Sequence, residues 1–437
     1  MPDRVASPSS STIRGLVINF NAPELNYLAT GLANEGQLVR YVRPYVNKGR
    51  LWERAIASLP LAGRAYMSSF GRRRIDNRSL VELTQEAGVI PDIAAAAIAR
   101  AHFLPTAVRQ GSTHRLHEAL RRSVSMRGAE RLNGVNCIVA YQGFAYAAFE
   151  AFREFGQGKA VLNYPIAHHR EQFAVQAQES EREPGFAATW PDYSHWPDGY
   201  EEQLDREIAL ADGVLVGSTY AKETFIAAGV DPAKLHVASY GVDHSIFNAP
   251  DPQLRPARFH AIYAGLLTQR KGVSYLLRAW KKFRRPGTQL TLVGNFVTDE
   301  EPFRPFSDLF RHVPHLTRPA LAQQYRESDV FVFPTLLEGM GLVVLEAMAC
   351  GLPVIVTANG PGDIVRDGID GYVVPIRDEA AIVDRLERLY ANPALRVEMG
   401  RNARRRSLEF GWGQYTSKVT EYLAAGLGSV DPVVRVR

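Results

Sequence analysis

Two glutamates eight residues apart, Glu338 and Glu346, lie in the stretch of sequence with the clearest potential for chemistry. Between them stand Gly339 and Gly341, and the apolar run that begins near Leu342 predicts a helix. A helix start offers free N–H groups and a positive dipole end, which favour phosphate. Carboxylates accept hydrogen bonds from sugar hydroxyls, and glycine lets a ligand approach the backbone closely. The segment therefore indicates a diphosphate site flanked by hydroxyl-binding acids, although acids also favour an ordinary helix start.

Apolar, β-branched runs alternate with helical segments along most of the chain. Such alternation predicts parallel sheets covered by helices on both faces, and 437 residues predict two domains. A Pro-rich polar stretch at 244–258 indicates a linker. We therefore predict an α/β protein with two Rossmann-like doubly wound domains facing a central cleft. The predicted strands are 15–20, 37–42, 136–141, 159–164, 213–218, 260–265, 289–294, 329–334, 353–358 and 371–375.

The sequence EGMGLVVLEAMACGLPVIVTANGPGDIVRDGIDGYVVP, at 338–375, closely resembles the donor-binding segment of the retaining glycosyltransferases of family 4. The segment 398–415 resembles the ending of those proteins. The resemblance implies the GT-B fold, with an acceptor-side domain over 1–245, a nucleotide-sugar domain over 246–410 and a helix over 411–437 that crosses back. It also implies a hexosyltransferase that takes its sugar from a nucleotide-diphosphate sugar and retains the configuration.

The same resemblance assigns roles to the acids. Glu338 matches the family acid near the donor sugar, and Glu346 matches the acid near the ribose. The donor-binding loop and helix start between them comprise Gly339, Met340, Gly341 and Leu342.

The family also has a basic pair that neutralises the leaving diphosphate. Lys271 matches its lysine, and a cation aimed at developing negative charge is what such a reaction needs. The second cation usually follows the glycine found here at 265, but Leu266 stands there. Arg270 either replaces it or is an exposed loop residue. Gly265 and Gly294 match loops that line the nucleotide pocket, with a tight turn as the alternative for Gly294.

The first half of the chain carries weaker signals. The family commonly has a histidine that faces the donor sugar, and His168 is our preferred candidate. His169 is a second candidate on the acceptor side, although either histidine could be a surface helix residue. Asn21, Gln142 and Gly143 follow predicted strands and are candidates to line the acceptor cleft.

Composition and cysteine usage narrow the class of protein. The chain is 46% apolar and 22% charged, as globular proteins are. Its two cysteines, Cys137 and Cys350, are flanked by apolar runs, so we expect buried free thiols in a reducing compartment. The first residues lack the apolar stretch of a signal peptide, and no run of about 18 apolar residues occurs. We therefore expect a cytoplasmic protein.

The positive charge of the chain is concentrated between Arg64 and Arg131. This range contains twelve arginines, no lysine and six acidic residues. A solvated helical face is one interpretation. The other is attraction to a phosphorylated acceptor or to an anionic membrane, with the protein peripheral at the inner face. Nucleic acid is disfavoured as a partner, because no recognised binding module accompanies the arginines.

The predicted function is therefore transfer of a sugar to a glycan or lipid-linked acceptor, as in the synthesis of cell-surface polysaccharide, lipopolysaccharide or glycolipid. No Asp-x-Asp motif occurs, so we expect neither a metal ion nor a cofactor. Two alternatives stay open: a phosphorylase or sugar-phosphate transferase of the same fold, and a non-catalytic sugar-nucleotide-binding protein. A dehydrogenase is disfavoured, because no G-x-G-x-x-G turn with a following acid occurs.

Overall fold

The computed structural model describes residues 12–60, 66, 70–75, 77–99, 106–154, 158–190, 199–248, 259–297 and 300–427. They form two compact units. The first comprises the described residues of Met1–Tyr164, His195–Leu215 and Thr416–Arg437, and the second those of Pro165–Ser194 and Val216–Tyr415. These units differ from the ranges 1–245, 246–410 and 411–437, which stay a prediction about domains. Residues 249–258 of the predicted linker lie outside the described residues.

Thirteen strands among the described residues build two sheets. The strands are β1 (Gly15–Ile18), β2 (Leu38–Arg43), β3 (Thr84–Glu86), β4 (Cys137–Tyr141), β5 (Lys159–Asn163), β6 (Gly213–Val216), β7 (Leu235–Val237), β8 (Phe259–Ala264), β9 (Thr288–Val293), β10 (Arg311–Val313), β11 (Val330–Phe333), β12 (Val354–Thr357) and β13 (Gly371–Val374). Their orders are β3-β2-β1-β4-β5-β6-β7 and β10-β9-β8-β11-β12-β13. Pairing is parallel from β3 to β6 and from β10 to β13. The predicted pair of Rossmann-like parallel sheets is confirmed.

The α-helices connect these strands. They are α1 (Pro23–Asn34), α2 (Leu51–Ala57), α3 (Arg78–Leu83), α4 (Val89–Ala99), α5 (Thr106–Ala129), α6 (Tyr146–Glu154), α7 (His169–Arg182), α8 (Tyr200–Leu210), α9 (Thr219–Ala227), α10 (Val273–Phe283), α11 (Arg318–Arg326), α12 (Leu342–Ala349), α13 (Glu379–Ala391), α14 (Pro393–Ser407) and α15 (Trp412–Ala424). No helix in the described part of the chain has both the length and the apolar character needed to cross a membrane.

The central strands are buried along their whole length, as expected for sheets covered on both faces. Every residue of β1, β6, β11 and β12 is buried. Each predicted strand is confirmed, with ends shifted by up to two residues. The short edge strands β3, β7 and β10 were missed, because three residues that include polar side chains give no apolar run. Cys137 and Cys350 are buried free thiols, as predicted.

Helix α10 shows how the second unit is built beside its strands. Its buried face includes Leu276, Trp280 and Phe283, with Lys281 and Lys282 outward. The helix follows Gly272, whose φ of 69° lies in the left-handed region, and a Cβ there would stand 1.9 Å from the carbonyl oxygen of Pro334. Only glycine fits both constraints, so the loop after β8 packs directly on the loop after β11.

Candidate active site

The loops after β8 and β11 form one polar site in the second unit. These two strands are neighbours in the sheet, so their carboxyl ends lie side by side. The amide of Leu336 donates to the carbonyl of Arg270 at 2.9 Å, and the side chain of Asn359, after β12, donates to the carbonyl of Leu336 at 2.8 Å. Backbone contacts therefore fix the two loops against each other without help from a ligand.

Glu338 holds two cations in this site. Its Oε1 atom lies 3.1 Å from Lys271 Nζ and 3.0 Å from an Arg270 guanidinium nitrogen. The same guanidinium nitrogen donates to the carbonyl of Leu337 at 2.9 Å. Below them, the ring of Phe333 lies 5.0 Å from Lys271 Nζ. The interpretation of Arg270 as an exposed loop residue is therefore wrong, whereas Leu266 is half exposed.

In this cluster, burial and the charges of opposite sign shift the pKa values in opposite directions. Burial raises the pKa of Glu338, but Arg270 and Lys271 together lower it below its ordinary value. Burial and, to a smaller extent, the charge of Arg270 lower the pKa of Lys271, and Glu338 only partly opposes this. With all three groups ionised, the cluster carries one excess positive charge in a site largely shielded from water. It is therefore suited to an incoming anion.

Glu346 lies on α12 and has a different partner. Its Oε1 atom is 3.9 Å from one terminal guanidinium nitrogen of Arg318, and the other terminal nitrogen lies 3.7 Å from Asp243. Burial raises the pKa of Glu346 to about 7, and the charge of Arg318 only partly opposes this. The two acids therefore have different electrostatic environments. The cations favour the ionised form of Glu338, whereas burial brings the pKa of Glu346 close to neutral pH. Sequence reasoning missed Arg318, which no spacing rule links to Glu346.

Helix α12 begins at Leu342, as predicted, directly after Gly341, whose φ is 83°. Gly339 is required by close packing, since a Cβ there would stand 1.8 Å from the carbonyl oxygen of Pro165. Met340 is buried, and its sulfur accepts from the amide of Tyr240 at 3.0 Å. These contacts hold the loop between Glu338 and the helix start in one conformation.

Gly265 and Gly294 meet at the ends of neighbouring strands. Their φ values are 143° and 144°, and a Cβ on Gly294 would stand 1.8 Å from the carbonyl oxygen of Gly265. This backbone contact explains Gly294 as a tight turn without a ligand. A Cβ on Gly265 would stand 3.2 Å from Lys271 Nζ, so that glycine leaves room for the lysine. Their role in nucleotide binding stays a prediction.

Helix α7 joins the second unit through a buried acid that sequence reasoning missed. Glu179 accepts hydrogen bonds from Gln269 at 2.7 Å and from Arg377 at 2.6 Å, and the Tyr275 hydroxyl donates to it at 3.1 Å. Gln269 stands two residues before Lys271. Glu179 is thus a positioning residue for the loop that carries the cations. Partners 90 to 198 residues apart leave no local signal in the sequence.

His168 and His169 stand at the start of α7 and are both buried. The interpretation of either as a surface helix residue is therefore wrong. His168 caps the helix by accepting from the amide of Arg170 at 3.2 Å, and its own amide donates to Thr224 at 2.9 Å. The His168 ring lies 4.9 Å from that of Phe225. Gly339 packs on Pro165, three residues before His168, so this turn neighbours the donor loop.

The other acceptor-side candidates lie at strand ends in the first unit. Asn21 is exposed, and its side-chain oxygen accepts from Arg43 at 3.4 Å. The amide of Gln142 donates to the carbonyl of Asn163 at 3.1 Å. Gly143 lines a cavity of about 660 Å³ between α5, α6 and α8, and its amide donates to the buried Glu207 at 2.6 Å. The structure therefore brings Gln142 and Gly143 to the same strand end, and Asn21 to another.

Residues 258–392 match the family model described as Glycosyl transferases group 1. Over 242 residues, the chain is 33% identical to the D-inositol 3-phosphate glycosyltransferase of Pseudarthrobacter chlorophenolicus. The match takes in 50% of this chain and 58% of that protein, so the chain spans little more than half of the relative. A similar match, 31% identical over 246 residues, covers 57% of the enzyme of that name from Kribbella flavida.

Solved structures show the fold over nearly the whole chain. Sucrose-phosphate synthase from Thermosynechococcus elongatus superposes with a TM-score of 0.63 at 20% identity, covering 93% of this chain and 97% of that one. HepE from Anabaena, in complex with UDP, gives 0.60 at 13% identity, covering 95% and 100%. The predicted GT-B type of fold and the family resemblance are both confirmed. Residues 258–392, which carry Lys271, Glu338 and Glu346, are the part of the chain that matches the group 1 glycosyltransferases.

Proposed function

We propose that the protein transfers a sugar from a nucleotide-diphosphate sugar to a hydroxyl of an acceptor, with retention of configuration. The observation that carries this proposal is the largely shielded cluster in which one carboxylate, Glu338, holds both Lys271 and Arg270. Two cations beside a helix start suit a diphosphate. The family match over 258–392 supports the same donor class.

In the proposed reaction, the bond between the anomeric carbon and the diphosphate oxygen breaks as negative charge develops on that oxygen. Lys271 and Arg270 turn from Glu338 towards the diphosphate and stabilise this charge, so the step needs no metal ion. The acceptor hydroxyl forms the new bond on the same face of the sugar and gives its proton to the leaving phosphate. Arg270 thereby takes the place of the cation that Leu266 does not supply.

The remaining donor contacts follow from the chemistry of the side chains. Glu338 accepts hydrogen bonds from donor-sugar hydroxyls, and Glu346 accepts them from the ribose. The loop from Gly339 to Leu342 presents backbone N–H groups to the diphosphate. His168, fixed at the start of α7, hydrogen-bonds the transferred sugar through its imidazole.

A thermal-shift panel of UDP-, GDP-, ADP- and TDP-sugars tests the proposed donor class. We expect one of these nucleotides to stabilise the protein by about 2.7 kcal/mol at a hundredfold excess over its dissociation constant. The Glu338→Ala variant should lose that stabilisation, because the cations lose the acid that positions them. A control variant, Glu387→Ala, removes an acid of the same unit that pairs with Arg285 at the surface and should keep it.

Three results would contradict the proposal or a part of it. Stabilisation that persists unchanged in Glu338→Ala would place the donor elsewhere. Binding without transfer or hydrolysis of the donor sugar would favour a non-catalytic sugar-nucleotide-binding protein. Turnover that EDTA abolishes would contradict the proposed independence from metal ions.

We further propose that the first unit contacts an anionic membrane, which would suit the synthesis of a cell-surface glycan. Helices α2 and α4 both pack on the buried rings of Tyr45, Tyr66 and Phe70. Near this cluster, Leu51 and Ile90 are 85% and 82% exposed. Such exposed apolar side chains, in a unit that also carries the arginines of the 64–131 range, suit the interface of a negatively charged bilayer. Residues 61–65, 67–69, 76 and 100–105 of this region lie outside the described residues.

Co-sedimentation with vesicles tests the membrane contact. We expect the protein to bind phosphatidylcholine vesicles that contain phosphatidylglycerol, and to bind pure phosphatidylcholine at least about tenfold less, because each arginine near the surface adds about 1 kcal/mol. A Leu51→Ser, Ile90→Ser double variant should lose most of the binding. The control is Ile369→Ser, which changes an exposed apolar residue of the second unit. Equal loss in the control would contradict a specific surface on the first unit.

A further inference from the structure

The first unit contains a buried arginine that donates its hydrogen bonds to uncharged groups. Arg43 ends β2, and its side chain is 2% exposed. Its guanidinium donates to the side-chain oxygen of Asn26 at 2.8 Å. Two longer contacts reach the side chain of Asn21 at 3.4 Å and the carbonyl of Phe20 at 3.5 Å. An arginine buried in this way is costly unless an anion faces it.

The group around Arg43 has more donors than acceptors. The side-chain oxygen of Asn26 also accepts from the Tyr41 hydroxyl and, at 3.2 Å, from the amide of Asn19. One carbonyl oxygen with two lone pairs thus serves three donors. Within the described part of the chain, the Nε atom of Arg43 has no hydrogen-bond partner. This group, which we term the Arg43 cluster, is short of an acceptor and suits a phosphate.

The opposite imbalance occurs at the ends of β4 and β5. The Asn163 amide donates to Glu24 at 3.0 Å, and both residues are buried. Among the described residues, the side-chain oxygens of Asn163 and Gln142 are buried without a hydrogen bond. Burial raises the pKa of Glu24, and the Asn163 hydrogen bond only partly opposes this. This group, the Asn163 cluster, has acceptor oxygens that hydroxyl donors would satisfy.

The two clusters lie at the same edge of one sheet. Strands β2, β1, β4 and β5 are consecutive and parallel, and both clusters stand at their carboxyl ends. Strand spacing of about 4.8 Å separates Arg43 from Gln142 by about 10 Å and from Asn163 by about 14 Å. That span is comparable to a phosphorylated sugar or cyclitol extended across the edge.

We propose that this edge binds a phosphorylated polyol, with its phosphate on Arg43 and its hydroxyls on Gln142 and Asn163. The identification of this ligand as the acceptor rests on the proposed transferase function. Asn21 is exposed and touches the guanidinium only through its 3.4 Å contact, and in this proposal the incoming phosphate displaces that side chain. A lipid headgroup held in a bilayer surface cannot reach a guanidinium buried to this extent, so the phosphate belongs to a molecule in solution.

Inorganic phosphate is the probe for the Arg43 cluster, measured by thermal shift at constant ionic strength. The background is Lys271→Ala, which weakens the other phosphate site. We expect phosphate to stabilise this background, and addition of Arg43→Gln to raise its dissociation constant at least tenfold, since one charge-assisted contact is worth about 1.5 kcal/mol or more. The matched control adds Arg40→Gln instead. Arg40 is buried on the same strand, but its guanidinium donates to the carbonyls of Gly128 and Glu130.

Three outcomes would overturn the proposal. Phosphate stabilisation that disappears in Lys271→Ala alone would assign all of it to the donor cluster, and this result needs no variant of Arg43. An equal effect of Arg40→Gln would make the loss a general consequence of removing a buried arginine. An unchanged dissociation constant for phosphate in Arg43→Gln would place the phosphate away from the Arg43 cluster.

Further measurements distinguish a soluble phosphate from a lipid headgroup, and test the contribution of the Asn163 cluster apart from that of the Arg43 cluster. Glucose 6-phosphate should bind more tightly than inorganic phosphate, and Asn163→Leu should remove that difference. Phosphatidic acid vesicles should bind equally well with and without Arg43→Gln, and a dependence on Arg43 would contradict a soluble ligand. Nucleotide-sugar stabilisation should survive Arg43→Gln, so a negative phosphate result leaves the transferase proposal standing, whereas a failed nucleotide panel leaves the phosphate site standing.

Discussion

Replacement of Lys271 by alanine is expected to lower kcat/KM for sugar transfer at least a hundredfold. The reason is electrostatic, since a donor aimed at charge that develops in the transition state is worth about a hundredfold to a thousandfold in rate. Lys271 lies 3.1 Å from Glu338 with its side chain only 13% exposed, so no water replaces it at low cost. Initial rates over a range of donor concentrations give the measurement, and we expect kcat to fall together with kcat/KM.

Lys282→Ala is the control for this substitution. Lys282 lies on α10 of the same unit and pairs with Glu379 at 2.7 Å, but most of its side chain is exposed. Surface pairs of this kind contribute about 0–1 kcal/mol, so its kcat/KM should stay within about fivefold of wild type. A rise in KM at unchanged kcat in Lys271→Ala would contradict a role in the transition state and leave Lys271 a binding residue.

Glu346→Gln is expected to stabilise the ligand-free protein relative to wild type more at pH 8 than at pH 5. The pKa of Glu346 is raised from 4.5 to about 7 by burial. Below pH 4.5 the carboxyl is protonated in both the folded and the unfolded chain, and no cost arises. At higher pH the unfolded chain releases this proton before the folded chain does. The free energy of unfolding therefore falls, by as much as about 3 kcal/mol once the pH exceeds 7. Glutamine never carries the charge and avoids this loss.

Urea unfolding of both proteins at pH 5 and pH 8 measures the effect, as the difference between two free energies of unfolding. The control is Glu387→Gln, because Glu387 is partly exposed in its pair with Arg285 and should show a change below 1 kcal/mol at both values. An equal free-energy difference for Glu346→Gln at the two pH values would show that the side chain is hydrated in the folded state.

The sheets could be predicted because most of their strands have a clear signal in the sequence. A strand covered on both faces, such as β11 or β12, is a continuous apolar run, and Gly272 marks where α10 begins. The edge strand β3, with the sequence Thr-Gln-Glu, carries no such run. It forms because β2 offers it unpaired backbone groups, which is a tertiary effect.

The candidate site could likewise be predicted only in part. Glu338, Glu346 and Lys271 follow from a motif, and the start of α12 follows from helix periodicity. The pairing of Arg270 with Glu338 joins residues 68 apart, and no local rule connects them. The burial of His168 and His169 was also beyond the sequence, because it depends on Thr224 and Phe225 of another helix. The chemical roles assigned to these residues stay predictions until the variants are measured.

The contact between Glu179 and Arg377 has a consequence for synthesis of the chain on the ribosome. These residues are 198 positions apart. At a translation rate of about 5–20 residues per second, Arg377 is therefore added roughly 10–40 s after Glu179. In the first unit, Lys159 waits longer still for the carbonyl of Tyr422, 263 positions later. Neither unit can therefore complete these contacts until the later residues have emerged from the ribosome. A truncated chain without those residues would leave Glu179 and Lys159 without these partners.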